Sequence, residues 1–315
     1  MSFSPKELRA YLKRHPGYLR QFAKDLCKVL LAKLRGKALV VVTTESEGLG
    51  GYLWARGYYD LIREHYQGRC CIVLLGMANW EEFVRTVDED QVDIFRPFES
   101  CDSHKLIERL FFKLFRADLY IDFRAICIPH LVKARRRILG AGYKAENCFY
   151  REANNHTISQ LLTLPEGFRH QLPLHPVEAD WMGEPFVVLV EGGFTQGKLT
   201  DEQLLAVGEH LIEKGYRIFF NGDKRRLPLK GVIDGYQYPL HQYATIISRC
   251  AFMVTPNTLL YHYAVQLSKP CIVLSANELL TLDQQKPDQI ILYSTTPISQ
   301  IPSADIVAAI EDLTR

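Results

Sequence analysis

The spacing of apolar and polar positions changes near residue 38 and predicts two different kinds of structure. Before that point, Leu19, Phe22, Leu26, Leu30 and Leu34 recur at intervals of three and four, which predicts one apolar stripe along a helix. A shorter helix precedes it, and the two are separated at Pro16-Gly17. After residue 38, short β-branched runs alternate with segments of helical composition. Ala38–Thr43 predicts a strand that ends in the turn Glu47-Gly48-Leu49-Gly50-Gly51, and a helix follows from Tyr52 to about Tyr66. Further strands are predicted at Cys71–Leu75, Val92–Phe95, Asp118–Phe123 and near Arg137–Leu139. These runs scarcely alternate between apolar and polar, as expected of strands buried on both faces of a parallel sheet.

Residues 151–184 interrupt the rhythm with Asn154-Asn155 and a scatter of prolines that includes Pro165, Pro173 and Pro176. A second alternating unit follows. Phe186–Val190 predicts a strand, Glu191–Lys198 a glycine loop, and Thr200–Lys214 a helix opened by a Thr200/Gln203 capping box and stopped at Gly215. Strands are then predicted at Arg217–Phe220, Ala251–Val254 and Pro270–Leu274, and helices at His241–Ser248, Asn257–Leu267 and Ala304–Leu313. The expected fold class is therefore α/β, with two doubly wound domains facing a cleft. Its predicted divisions are a basic helical extension over residues 1–37, a first domain over 38–165, a linker over 166–185 and a second domain over 186–315. Ligands of such sheets bind beyond the C-terminal strand ends.

Composition narrows the class. Of 315 residues, 47% are apolar and 23% charged, which excludes a disordered or fibrous chain. No window reaches the roughly 18 consecutive apolar residues of a spanning helix. The N-terminus lacks the pattern of a signal peptide, so a cytoplasmic location is expected. The eight cysteines, at 27, 70, 71, 101, 127, 148, 250 and 271, have no metal-ligand spacing and read as reduced thiols in a reducing compartment. The net charge of +2 is unevenly spread: residues 1–37 hold ten Lys or Arg against Glu7 and Asp25, and so carry +8, leaving −6 for the rest. Such a block attracts polyanions. Two compatible readings follow, a helix packed on the body with a solvated charged face, and a helix that also meets an anionic membrane surface. A nucleic-acid protein would rest on this block alone and is not expected.

Three strand-to-helix junctions hold the candidate chemistry. Glycines in Glu45–Gly51 let a ligand approach backbone amides, although a purely structural turn reads the same way. The loop Gly192-Gly193-Phe194-Thr195-Gln196-Gly197-Lys198 offers backbone donors, a hydroxyl and an ammonium to phosphate oxygens; a flexible loop with a solvated lysine is the plainer alternative. At Thr255–His262, Asn257 or Thr258 is placed to cap a helix whose first amides form a diphosphate site, while His262 taken alone reads as a structural histidine. Neither a Gly-x-Gly-x-x-Gly fingerprint nor a P-loop is present at these junctions, which counts against a nicotinamide cofactor and a P-loop phosphotransferase.

Taken together, Val187–Lys198, Arg217–Gly222 and His241–Ser275 resemble the nucleotide-binding domain of glycosyltransferase family 9, the ADP-heptose:lipopolysaccharide heptosyltransferases. Within the last segment, Asn257-Thr258-Leu259-Leu260-Tyr261-His262 matches the family's Asp-Ser/Thr-Gly-x-x-His, with Asn257 and Leu259 departing from it. The resemblance covers residues 38–315 and implies a GT-B-like fold of two Rossmann-like domains, with the basic N-terminal helical segment as an addition. It further implies an inverting, metal-independent transfer of a heptose-like sugar from a nucleotide diphosphate donor, ADP-heptose, to a lipopolysaccharide inner-core acceptor. Other nucleotide sugars, or a non-catalytic nucleotide-sugar binder, are the alternatives. No cofactor and no metal are expected.

The family's base, an aspartate after the first strand, is matched by Gly51, so Glu47 on the same turn is the preferred general base. Stabilisation of the leaving diphosphate falls to Lys198, Thr195, Gly193 and the backbone at Asn257, Thr258 and Leu259, with His262 nearby. Gly222 and Asp223, after the strand at 217–220, are assigned to the nucleotide, with Asp223 toward the ribose hydroxyls. The inner-membrane surface is an expected partner of residues 1–37.

Overall fold

The computed structural model describes residues 13, 16–43, 49–77, 80–87, 91–98, 110–123, 132–140, 150–165, 168, 172–193, 197–276, 289–295 and 297–315. The chain divides into two units, Met1–His170 and Gln171–Arg315.

The first unit is built on β1 (Ala38–Thr43), whose residues after Ala38 are all buried. It lies between β2 (Cys70–Met77) and β4 (Ala117–Asp122), with β3 (Ile94–Phe98) and β5 (Ala134–Leu139) outside them, in the order β3-β2-β1-β4-β5. Every pairing is parallel. α1 (Pro16–Leu34) packs on this sheet, and α2 (Leu49–Arg56), α3 (Tyr59–His65), α4 (Glu81–Val87) and α5 (Tyr150–Ser159) complete the unit. The single helix expected after β1 is two, α2 and α3, separated at Gly57-Tyr58.

Helix α1 seats itself differently from the stripe read in the sequence. It buries Asp25, Val29 and Ala32, with Phe22 and Leu26 packed at the edge, whereas Leu19, Leu30 and Leu34 of the expected stripe are exposed. The reason is a long-range ion pair. Asp25 accepts from Arg96 of β3 at 2.9 Å, both side chains are 1% exposed, and the guanidinium lies over the Phe111 ring at 4.7 Å and beside Tyr18 and Phe22. A buried charge must face its partner, so the helix turns Asp25 inward and its leucines outward.

The second unit centres on β6 (Phe186–Val190), buried throughout. Around it lie β9 (Arg217–Asn221), β10 (Val232–Asp234), β11 (Met253–Pro256), β12 (Cys271–Ser275) and β13 (Gln289–Tyr293), all parallel, in the order β10-β9-β6-β11-β12-β13. The order therefore reverses on the two sides of β6, as in dinucleotide-binding sheets. A short ribbon, β7 (Gly192–Gly193) with β8 (Gly197–Lys198), leads into α6 (Asp201–Glu213). α7 (Tyr243–Arg249), α8 (Leu259–Gln266) and α9 (Ser303–Thr314) finish the unit.

The capping box is present: Gln203 N–H donates to Thr200 Oγ1 at 3.1 Å, and Thr200 N–H donates to Gln203 Oε1 at 2.7 Å. The other end of the Gln203 amide donates to the carbonyls of Ile298 (3.1 Å) and Ile301 (2.6 Å). Gly215 ends the helix at φ +85°, where a side chain would be strained. Among the described residues, no helix is long and apolar enough to cross a membrane.

Candidate functional site

In the second sheet, β6 sits between β9 and β11, so the chain leaving each of these three strands emerges at the same edge. That edge is the switch point of the strand order, where a crevice forms because neighbouring connections run to opposite sides. The loop after β6 approaches the loop after β11 closely: a Cβ placed on Gly193 would lie 3.0 Å from Thr258 Cγ2.

The turn after β9 is joined to the loop after β6 by one side chain. Glu191, the residue just after β6, is 3% exposed. Its Oε1 accepts from Lys198 Nζ at 2.9 Å and from Arg226 Nη1, and its Oε2 accepts from the Asp223 backbone N–H at 2.8 Å. Burial pushes the Glu191 carboxyl up, but Lys198, the Asp223 amide and Arg226 more than offset this and hold it below the usual carboxylate range. Arg226 also donates to Asp201 at 2.6 Å and to the Leu199 carbonyl at 2.7 Å. Two cations thus converge on one buried carboxylate, and Lys198 keeps 64% of its side chain exposed.

Gly222 is part of the same junction. A Cβ there would stand 2.6 Å from both Glu191 Cβ and Phe220 Cζ, so only glycine lets the turn pass over the carboxylate. Gly222→Ala is expected to cost about 1–3 kcal/mol through this overpacking, read as a lower urea midpoint at unchanged slope. An unchanged midpoint would show that Glu191 is free to move aside.

Asp223 is committed locally. Its carboxylate accepts from the Arg225 N–H at 3.1 Å and from the Arg225 guanidinium at 2.8 and 3.0 Å, which holds its pKa low. Asn221 donates to Tyr243 Oη at 2.8 Å, and that hydroxyl donates to the Gly235 carbonyl at 3.0 Å, bracing the turn from the other side. Burial pushes the Tyr243 phenol up to about 12, so it stays a donor.

At the third junction, Thr258, one of the two residues the sequence offered as a cap, is the N-cap of α8, with φ −128° and ψ 178°. Its hydroxyl makes no cap bond and lies 3.3 Å from Thr255 Oγ1. The Thr258 side chain therefore does not cap the first turn, and the positive end of the helix lies beside Gly193. Asn257 and Leu259 flank Thr258 and are half-buried. His262 is half-buried one turn along, its N–H donating to the Thr258 carbonyl at 3.4 Å and its ring 5.3 Å from that of Tyr261.

The structure therefore brings together Gly193, Lys198, Gly222, Asp223, Asn257, Thr258, Leu259 and His262 at one edge of the second unit. Thr195 and Glu47 lie outside the described residues. Two residues not singled out in the sequence, Glu191 and Arg226, organise the site. The carboxylate that closes the apolar run Val187–Val190 and the basic run Lys224–Arg226 were their signals. In the first unit, Asp122 ends β4 beside Thr43 of β1; it is 1% exposed and accepts from Tyr120 Oη at 3.3 Å.

No protein-family model matches the chain, and no curated protein matches it in sequence. Solved structures are similar. A family 9 glycosyltransferase from Veillonella parvula is 12% identical at a TM-score of 0.63, over 88% of this chain and 97% of that one. E. coli heptosyltransferase WaaC with ADP is 13% identical at 0.61, over 87% and 99%. E. coli ADP-heptose LPS heptosyltransferase II is 14% identical at 0.58, over 87% and 98%. At such identities the likeness shows the fold, GT-B-like with two parallel α/β units, as the family resemblance implied.

Proposed function

We propose that this chain is an inverting, metal-independent glycosyltransferase that moves a heptose-like sugar from ADP-heptose to a hydroxyl of a lipopolysaccharide inner-core acceptor. One observation carries the reading: the loops after β6, β9 and β11 meet at the switch point, with a solvent-reaching lysine on one side and the N-terminus of α8 on the other. Both features suit a diphosphate. The two E. coli heptosyltransferases, one with ADP and one named for ADP-heptose and LPS, suggest the donor and acceptor classes.

In the reaction, a carboxylate takes the acceptor hydroxyl proton as that oxygen attacks the anomeric carbon. The bond from that carbon to the diphosphate oxygen breaks, and ADP leaves carrying the electron pair. Lys198, the α8 amides and, behind Lys198, Arg226 neutralise the charge that develops. Glu47 is assigned the proton-accepting role. The test is ADP release on mixing with ADP-heptose and truncated core acceptor. Lys198→Ala is expected to lower kcat/KM about a hundredfold, and Glu47→Ala to abolish turnover while nucleotide binding persists.

A second reading rests on Gly51, which stands where the family has its base. In that case the chain binds nucleotide sugars without transferring them. Calorimetry showing ADP binding, with no ADP release from any acceptor, would favour it. No heat with any nucleoside diphosphate would end both readings.

A further inference from the structure

The outward turn of α1 leaves an exposed apolar stripe. Leu19, Ala23, Cys27, Leu30 and Leu34 are all exposed, and their spacings of three and four put them on one flank over about 22 Å of helix. Leu34 is 82% exposed and Leu30 and Leu31 are 50% exposed each, while the neighbouring helical turn at 110–114 adds exposed Leu110 and Leu114. Lone exposed leucines need no explanation, but a continuous row marks a contact surface.

The charges beside the row say what covers it. Arg20, Lys24, Lys28 and Arg35 occupy the adjoining flank, and Lys33 and Lys37 lie near its C-terminal end. The helix's one acidic residue, Asp25, is buried against Arg96 and offers no negative charge to a partner. Next to this flank is a cavity of about 490 Å³ with Lys28, Arg35, Lys37 and Arg85 at its rim and Leu31 and Phe95 on its walls. Of the carboxylates nearby, Asp93 is held by Arg63 at 3.0 Å and by the Ile72 N–H at 2.8 Å, and Glu81 by Arg85 at 2.7 Å. Lys28, Arg35 and Lys37 form no ion pair with a described carboxylate.

We infer that α1 lies in the plane of a bilayer bearing anionic phospholipid. Its leucine row enters the acyl boundary, and the basic cavity beside it takes headgroup phosphates. A row of leucines flanked by cations, with no exposed acid on Pro16–Leu34, is the chemistry of an interfacial helix. Nothing in this inference depends on sugar transfer, and its test uses no nucleotide.

The full chain is sedimented with vesicles of phosphatidylcholine alone and of phosphatidylcholine with about one-third phosphatidylglycerol. Binding is expected only to the anionic vesicles, weakening steeply with salt. Lys28→Glu/Arg35→Glu and Leu30→Ser/Leu34→Ser are each expected to weaken it about tenfold or more, with thermal melts unchanged because all four side chains are exposed. Absence of binding to anionic vesicles overturns the inference. So does binding that survives the leucine variant but not the charge variant, the behaviour of a general polyanion site such as one for nucleic acid. A dimer in solution that the leucine variant dissociates would assign the row to a second copy of the chain and also overturn it.

Discussion

Replacing Asp25 with alanine is expected to destabilise the first unit by about 3–5 kcal/mol, the usual cost of breaking a buried ion pair by removing one partner. The Arg96 guanidinium would keep the Tyr18 hydroxyl at 2.9 Å and the faces of Tyr18, Phe22 and Phe111, but not the carboxylate it now donates to at 2.9 Å. Urea unfolding reads the loss directly as a lower midpoint. Arg96→Met in the Asp25→Ala background is expected to restore most of it, because an apolar side chain of similar length needs no partner. A single variant within about 1 kcal/mol of wild type would mean that water reaches the guanidinium.

Glu191→Ala is expected to weaken both folding and nucleotide binding. The carboxylate anchors two cations and the Asp223 amide, and its removal frees Lys198 and Arg226 to repel each other. A loss of about 2–4 kcal/mol in stability follows from the broken charge-assisted bonds, with ADP affinity reduced about tenfold as the two loops separate. Glu191→Gln distinguishes charge from shape. The native Glu191 pKa is lowered from its ordinary 4.5, so its contribution is complete above pH 4.5 and fades as the pH falls below that value. The stability gap between wild type and Glu191→Gln is therefore expected to be widest near neutrality and to close in acid. A gap that stays constant with pH would show that shape, not charge, holds the site together.

Both sheets were legible because their central strands leave no ambiguity. Val40, Val41 and Val42 in β1 and Phe186–Val190 in β6 are buried on both faces, and a continuous apolar run has no other comfortable place. The edge strands β10 and β13 were not read. Val232–Asp234 is three residues between Gly231 and Gly235, too short to announce a strand, whereas Ile290-Ile291-Leu292 in β13 does have the composition of one. The seam of α1 was misread for a physical reason. Spacing rules treat an aspartate as solvated, and here its partner is 71 residues away. The site divides in the same way. Its glycines, its lysine and the start of α8 follow from local turn and cap chemistry. Glu191 and Arg226 matter only because folding brings residues 35 positions apart into contact, and no short-range pattern reports that.

Gln203 links the candidate site to a distant part of its unit. One end of its amide closes the cap of α6, five residues after Lys198; the other holds the carbonyls of Ile298 and Ile301, just ahead of the final helix. The mouth of the sheet and the tail of the unit are thus moored to the same side chain. Any change that pulls residues 298–301 away therefore slackens the loop that ends at Lys198, without touching a residue that lines it.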